Sequence, residues 1–115
     1  MAVKAQSKQR FIRMSHRKLR RIANEVRGKS VPDAVYMLRF MPYTAATVVL
    51  KNLRAAVANA EQQFGQLADP NQMFVSAIMV DEAPVYRRFK PRAQGRVYRI
   101  EKATAHLMVE VATRA

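Results

Sequence analysis

The 115-residue chain has no cysteine, no tryptophan and only three glycines. Without thiols there can be no disulfide and no zinc site built on thiolates, and the redox compartment stays open. Gly28, Gly65 and Gly95 lie far apart, so no glycine-rich loop is available to cradle a phosphate. Acids are also scarce, eight against 21 lysines and arginines. Asp81 and Glu82 adjoin on a stretch that reads as extended, where neighbouring side chains diverge instead of sharing a site. The two histidines, His16 and His106, fall in different segments, and no HExxH-type spacing occurs. No constellation for acid–base, nucleophilic or metal-assisted catalysis is left. The N-terminal residues lack the apolar core of a secretory signal. The uncharged stretch Phe40–Leu50 contains Pro42 and is too short to span a bilayer. The expectation is a chain that is not an enzyme, holds no cofactor or metal and does not enter a membrane.

What is abundant is positive charge on an otherwise ordinary globular composition. The formal net charge is +13, while half of the residues are hydrophobic, enough for one modest core over residues 1–115. The charge sits in two blocks. Residues 1–29 hold Lys4, Lys8, Arg10, Arg13, Arg17, Lys18, Arg20, Arg21, Arg27 and Lys29 against the single acid Glu25. Residues 87–102 hold Arg87, Arg88, Lys90, Arg92, Arg96, Arg99 and Lys102 against Glu101 alone. The middle of the chain is slightly acidic. Two blocks imply two contact surfaces, and a phosphate-rich partner is the first inference.

The second block occupies a long insert, Val85–Lys102, between two apolar runs. His106–Val111 alternates, with Leu107, Val109 and Val111 on one face and His106, Met108 and Glu110 on the other, as in a half-buried strand. Met73–Val80, with Phe74, Val75, Ile78 and Val80, also fits a strand. Two such strands joined by this insert read as an extended hairpin over 85–103. Gln94-Gly95 is the natural reversal, because glycine accepts positive φ. Arms of about eight residues would carry the tip some 25 Å from the base, at roughly 3.3 Å per residue. Tyr86, Phe89 and Tyr98 stand between the cations, which suits stacking on bases beside phosphate contacts. A solvated surface hairpin is the plain alternative; the length, the aromatics and the other basic block argue for RNA.

The remaining elements follow from caps and periodicity. Residues 1–8 read as a flexible basic arm, with a short strand over Arg10–Met14. Ser15 caps a helix that runs to Arg27, before Gly28. Leu19, Ile22, Ala23 and Val26 form its apolar stripe, so Arg17 and Arg21 point away, with Lys18 and Arg20 on the flanks. Ser30, Pro32 and Asp33 open a second helix that Met41-Pro42 ends. A third runs from Tyr43 or Thr44 to Gln63, with Ala46, Val49, Leu50, Leu53, Ala56, Val57 and Ala60 inward. Asn59 is either exposed or a satisfied buried amide. Gly65–Asn71 is a loop. The fold class is α+β, a small antiparallel three-stranded sheet packed on three helices, with the hairpin between the last two strands. His106 falls at the hairpin base, where a structural or backbone contact is expected.

The motifs Arg87-x4-Arg92-Ala93-x-Gly95-Arg96-x9-His106-Leu107-x-Val109-x-Val111, Met14-Ser15-x-Arg17-Lys18-x-Arg20, Arg27-Gly28-Lys29-Ser30, Ala55-x2-Ala58-Asn59-Ala60 and Val80-Asp81-Glu82-x-Pro84 occur in order. Together they resemble the family of large-subunit ribosomal protein number twenty-two, over essentially the whole chain from Lys8. The resemblance implies a structural constituent of the large ribosomal subunit that binds 23S-type rRNA and supports early assembly. Neighbouring ribosomal proteins and the nascent peptide would be the other partners. It places Lys8, Arg10, Arg13, His16, Arg17, Lys18, Arg20, Arg21, Arg27 and Lys29 against rRNA. Arg87, Arg88, Lys90, Arg99, Lys102 and His106 would join them along the hairpin and at its base. Arg88, Phe89, Lys90, Pro91, Arg92, Ala93, Gln94, Gly95 and Arg96 would form a tip in the wall of the peptide exit tunnel. Gln94 stands where many members carry a cation, which makes the tip less positive. Glu101, Ala103 and Ala105 replace residues often Lys, Arg, Ser or Cys, which weakens the return arm as an RNA contact. Pro91–Arg96 is similar to members from photosynthetic bacteria and plastids. That implies a bacterial cytoplasmic ribosome or an organelle ribosome, with a plastid stroma favoured over a mitochondrial matrix. A basic nucleic-acid-binding or RNA-chaperone protein outside the ribosome is the alternative.

Overall fold

A computed structural model describes residues 4–91, 93–95 and 97–113 of the chain. Its helices start where a side-chain oxygen can accept from an unpaired amide. Helix α1 (His16–Val26) begins at Ser15, whose Oγ accepts from the Arg17 amide at 3.3 Å, and stops at Arg27. Gly28 then turns the chain with φ 80°, a conformation that a β-carbon opposes. Helix α2 (Val31–Phe40) begins at Ser30, whose Oγ accepts from the Asp33 amide at 3.4 Å, and ends at Met41, before Pro42. Helix α3 (Thr44–Phe64) is the longest, with 21 residues.

Strands β1 (Lys4–Ile12), β2 (Met73–Glu82) and β5 (Ala105–Thr113) form an antiparallel sheet in the order β1-β5-β2, so the last strand lies in the middle. All three helices back one face of this sheet. Val75, Ile78, Val80, Leu107, Val109 and Val111 bury against Leu19, Ile22 and Val26 of α1 and Val49 and Leu53 of α3. Ala46, Ala56 and Ala60 let α3 lie close to its neighbours, and Val31, Ala34 and Leu38 seat α2. Leu50 and Val57, expected on the inner stripe, are half-buried at its rim. On the open face the register sets Lys8, Met108 and Met79 in one row across the strands.

Where the sequence suggested an arm over 1–8 and a strand over 10–14, β1 pairs with β5 from Lys4 and stops at Ile12. Its alternation is real but polar on both faces. Ala5, Ser7 and Gln9 turn toward α3, and Lys4, Lys8 and Arg10 turn away. Asn52, only 5% exposed, receives the inner polar residues. Its Nδ2 donates to Gln9 Oε1 at 2.7 Å and to Val48 O at 3.0 Å, and its Oδ1 accepts from Ser7 Oγ at 3.4 Å. Asn59 is half-buried and donates to Gln6 O at 3.0 Å. The β1 layer is thus fastened by amides that hydropathy does not register.

The hairpin is a separate two-stranded sheet. Strands β3 (Tyr86–Pro91) and β4 (Val97–Lys102) pair from Tyr86↔Lys102 to Pro91↔Val97. A turn over Ala93–Gly95 reverses the chain at Gln94 (φ 66°) and Gly95 (φ 72°), the position expected. Each arm has six residues, so it reaches about 20 Å at roughly 3.3 Å per residue, shorter than expected. The difference is a neck. The Ala83 amide donates to Thr104 O at 3.1 Å, and Thr104 Oγ1 donates to Pro84 O at 2.6 Å. Thr104 is buried to 1% exposure, so residues 83–85 and 103–104 serve as a root for the arms. With the hairpin extended, the molecule measures 65 × 26 × 17 Å.

Candidate nucleic-acid interface

The buried stripe of α1 forces its cations outward, and Arg17, Lys18, Arg20 and Arg21 are all exposed. They are not equivalent. β2 has β5 on one side only, and its other edge offers backbone groups that would invite a further strand. Four contacts cover that edge. The Gly28 amide donates to Val75 O at 3.1 Å, and the Val75 amide to Lys29 O at 2.8 Å. Arg27 Nη2 donates to Ile78 O at 2.8 Å, while its Nη1 donates to Asn24 Oδ1 at 2.7 Å. Arg20 grips Val80 O with both Nε and Nη2, at 3.2 and 3.0 Å. Ile78 and Val80 are two apart, so their carbonyls leave the same edge of the strand. Arg20 and Arg27, expected on RNA, therefore have their guanidinium groups engaged with the sheet. Arg21 is partly engaged, lying 5.0 Å from the centre of the Tyr43 ring, with Nη2 3.4 Å from the Tyr43 hydroxyl.

Both imidazoles are half-buried and meet groups of the chain itself. His16 Nδ1 is 3.8 Å from Glu82 Oε1, tying the start of α1 to the end of β2. His106 Nδ1 accepts from the Phe11 amide at 3.1 Å, the backbone contact its place at the hairpin base suggested. The rings of His106 and Phe11 meet edge-on, with centroids 4.9 Å apart. Phe11 itself has φ 57°, at the bulge where the β1–β5 register shifts between Gln9 and Ile12. A bulky residue in the left-handed region costs about 1–3 kcal/mol and persists only where its surroundings impose it. Here the bulge and His106 do so, and Phe11 is left 51% exposed.

Lys8, Arg10, Arg13, Arg17, Lys18 and Lys29 are exposed, and no hydrogen bond or ion pair holds their side chains among the described residues. Two of them, Arg13 and Lys18, line two clefts. The larger, of about 850 Å³, lies between the body and the root of the hairpin and is lined by Phe11, Arg13, Lys18, Tyr86, Glu101 and Lys102 among others. A second, of about 540 Å³, is lined by Arg13, Lys18, Arg21, Pro42 and Tyr43 among others. Arg13 and Lys18 border both, so they form a cationic ridge between two hollows that each present an aromatic ring. Lysine and arginine on such a ridge suit phosphates, and the rings suit bases.

Along the hairpin Arg87 faces Glu101 across the ladder, so the arm's one acid opposes one of its cations. Tyr86 is exposed opposite Lys102, and Phe89, 71% exposed, stands opposite Arg99. At Arg88, Lys90, Pro91, Ala93 and Arg99 only the backbone is described, and Arg92 and Arg96 lie outside the described residues. Among the described residues no group of three or more His, Cys, Asp or Glu could hold a metal ion. No helix among them is long and apolar enough to cross a membrane.

The family model for ribosomal protein L22p/L17e matches residues 7–112. The chain belongs to this family. Among curated relatives, the large ribosomal subunit protein uL22 of Acaryochloris marina is 48% identical over 111 residues, covering 96% of this chain and 91% of that protein. The protein of the same name from Microcystis aeruginosa is 50% identical over 103 residues, or 90% of this chain and 85% of that one. That of Prochlorococcus marinus strain MIT 9515 is 44% identical over 111 residues, or 96% and 85%. The family match runs from β1 through the hairpin into β5, so it takes in both basic blocks and the clefts between them. Phe11 and Tyr43, which line the clefts, and Asn52, which fastens β1, are residues the sequence reading passed over. Only tertiary placement distinguishes them, since each looks ordinary beside its neighbours in the chain.

Proposed function

We propose that the chain is a structural constituent of the large ribosomal subunit, bound to 23S-type rRNA by the body and by the hairpin. The observation that carries this reading is the division of labour among the cations. Arg20 and Arg27 close the edge of β2, while Lys8, Arg10, Arg13, Arg17, Lys18 and Lys29 stay exposed and without a side-chain partner among the described residues. Cations left unneutralised in such number repel one another and are relieved by a phosphate backbone, which exchanges its condensed counterions for lysine and arginine. Phosphate contacts fix position, and exposed rings on the clefts and hairpin add stacking. Family membership supplies the ribosomal setting.

In this reading the hairpin, with Arg87, Arg88, Lys90, Arg99 and Lys102 on its arms, threads between rRNA segments. Its turn at 93–95, flanked by Arg92 and Arg96, meets the exit tunnel and the nascent peptide. Binding several rRNA segments with body and arm would hold them together early in assembly, beside neighbouring ribosomal proteins. The cyanobacterial relatives support a bacterial or plastid ribosome.

The test is sucrose-gradient separation of ribosomal subunits after a high-salt wash, each fraction being probed for this chain. Stoichiometric retention in the large subunit is expected. Release to the top fractions would replace this reading with that of a loosely bound basic RNA-binding protein.

A further inference from the structure

We propose that Phe11 is a stacking platform for one unpaired RNA base, seated in the cleft between the body and the root of the hairpin. The inference rests on the RNA-binding reading and gives one of its surfaces a specific ligand. An aromatic residue at positive φ, half exposed, is an expensive arrangement unless the ring has a use where it stands. Two devices impose it, the bulge in β1 and the His106 imidazole that accepts the Phe11 amide. Because a backbone N–H can only donate, Nδ1 of His106 must be the unprotonated nitrogen. The edge-on contact with His106 leaves at least one face of the phenyl ring uncovered by that neighbour.

The surroundings match a nucleotide. The cleft of about 850 Å³ falls within the size range of small-ligand sites, roughly 300–1,000 Å³. Arg13 and Lys18 on one wall and Lys102 on the other can reach the phosphates that flank a base, and Tyr86 offers a second ring. Glu101 lines the same cleft, so the site is cationic without being uniformly so. A base still paired within a duplex could not reach Phe11 face to face, so the ligand is a bulged or looped-out base. Stacking on a phenyl ring tolerates any base identity, and position in the RNA, set by the cations, would select which base enters.

The experiment measures, by fluorescence anisotropy at one fixed salt concentration, the affinity of the full chain for two labelled RNA duplexes. The duplexes are identical except that one carries a single bulged adenosine. The chain should prefer the bulged duplex on the order of tenfold, the scale of one base stacked on an aromatic side chain. Phe11→Ala and Phe11→Leu should remove the preference, lowering affinity for the bulged duplex about tenfold more than for the paired one; Phe11→Tyr should keep it. Phe11→Gly should also remove it, with a melting temperature equal to or above that of the parent, since the strain at this position is relieved. Equal affinity of the parent chain for both duplexes would overturn the platform while leaving RNA binding intact. Equal loss on both duplexes in Phe11→Ala, or a fall in melting temperature in Phe11→Gly, would make Phe11 a structural residue. Absence of binding to either duplex would remove the RNA reading along with this one.

Discussion

Arg17 and Arg20 are three residues apart on one helix, and in the sequence they look alike. Arg20 donates twice to Val80 O, whereas Arg17 has no such bond among the described residues. Arg20→Ala should therefore lower stability by about 1 kcal/mol, the scale of a charge-assisted bond discounted for its exposure, as measured by chemical denaturation. Arg17→Ala should stay within about 0.5 kcal/mol of the parent. It should instead reduce the salt dependence of RNA affinity by nearly one phosphate contact. Equal stability effects at the two positions would show that the β2 edge does not depend on Arg20. Asn52 is a second residue whose role is invisible in the chain, where it follows Lys51 as one more polar residue of a helix. Buried and bonded to Ser7, Gln9 and Val48, it should cost about 1–3 kcal/mol when changed to Ala, because Gln9 and Ser7 lose a partner beneath the sheet.

At the level of elements, sequence reading worked where the signal is local. Ser15, Ser30 and Pro42 mark helix ends within a residue because caps and proline act on their immediate neighbours. Gln94-Gly95 likewise announced the reversal of the hairpin. β1 was expected but placed too late, over 10–14, because Ser7 and Gln9 face the core side with polar groups, so its early alternation carries no hydropathy contrast and its lysines suggested an arm. The length of the hairpin was misread because Ala83–Val85 and Ala103–Thr104 look like more of the arms, although their bonds make them a root. That root can be tested alone. Thr104→Val keeps the shape and removes the bond to Pro84 O, and should cost about 1 kcal/mol. It should also speed hydrogen exchange at the Ala83 amide relative to amides in the centre of β5. Unchanged exchange at Ala83 would mean that packing, not the hydroxyl, fixes the angle of the hairpin.

For the whole molecule, the separation of charge matters more than its sum. The net charge of +13 is concentrated on β1, the outer side of α1 and the hairpin, and the slightly acidic middle carries α2 and α3. Such a molecule presents its cations on both sides of the sheet and along the hairpin, while α2 and α3 carry only Arg39, Lys51 and Arg54. Affinity of the free chain for duplex RNA should fall by on the order of a thousandfold between 50 and 200 mM salt, as for proteins making six or more phosphate contacts. A fall of less than about tenfold would mean that few of these cations reach phosphate. The family and the two basic blocks were legible in the sequence because motifs and charge are carried by residue identity. The ridge formed by Arg13 and Lys18, the clefts beside it and the ring of Phe11 were not, since each depends on bringing β1, α1 and the hairpin root together.

The position of β5 bears on how the chain comes to be folded at all. It is the central strand, yet a ribosome making this protein delivers it after β1, all three helices and β2. Until it arrives, β1 and β2 have no partner strand and the helices have only half a floor. The first strand must wait for about a hundred residues of synthesis before its ladder can form. Contacts so distant along the chain slow folding, and the basic N-terminal segment spends that interval unpaired and open to any nearby polyanion. Closure of the sheet is thus a late event, set by the order of translation.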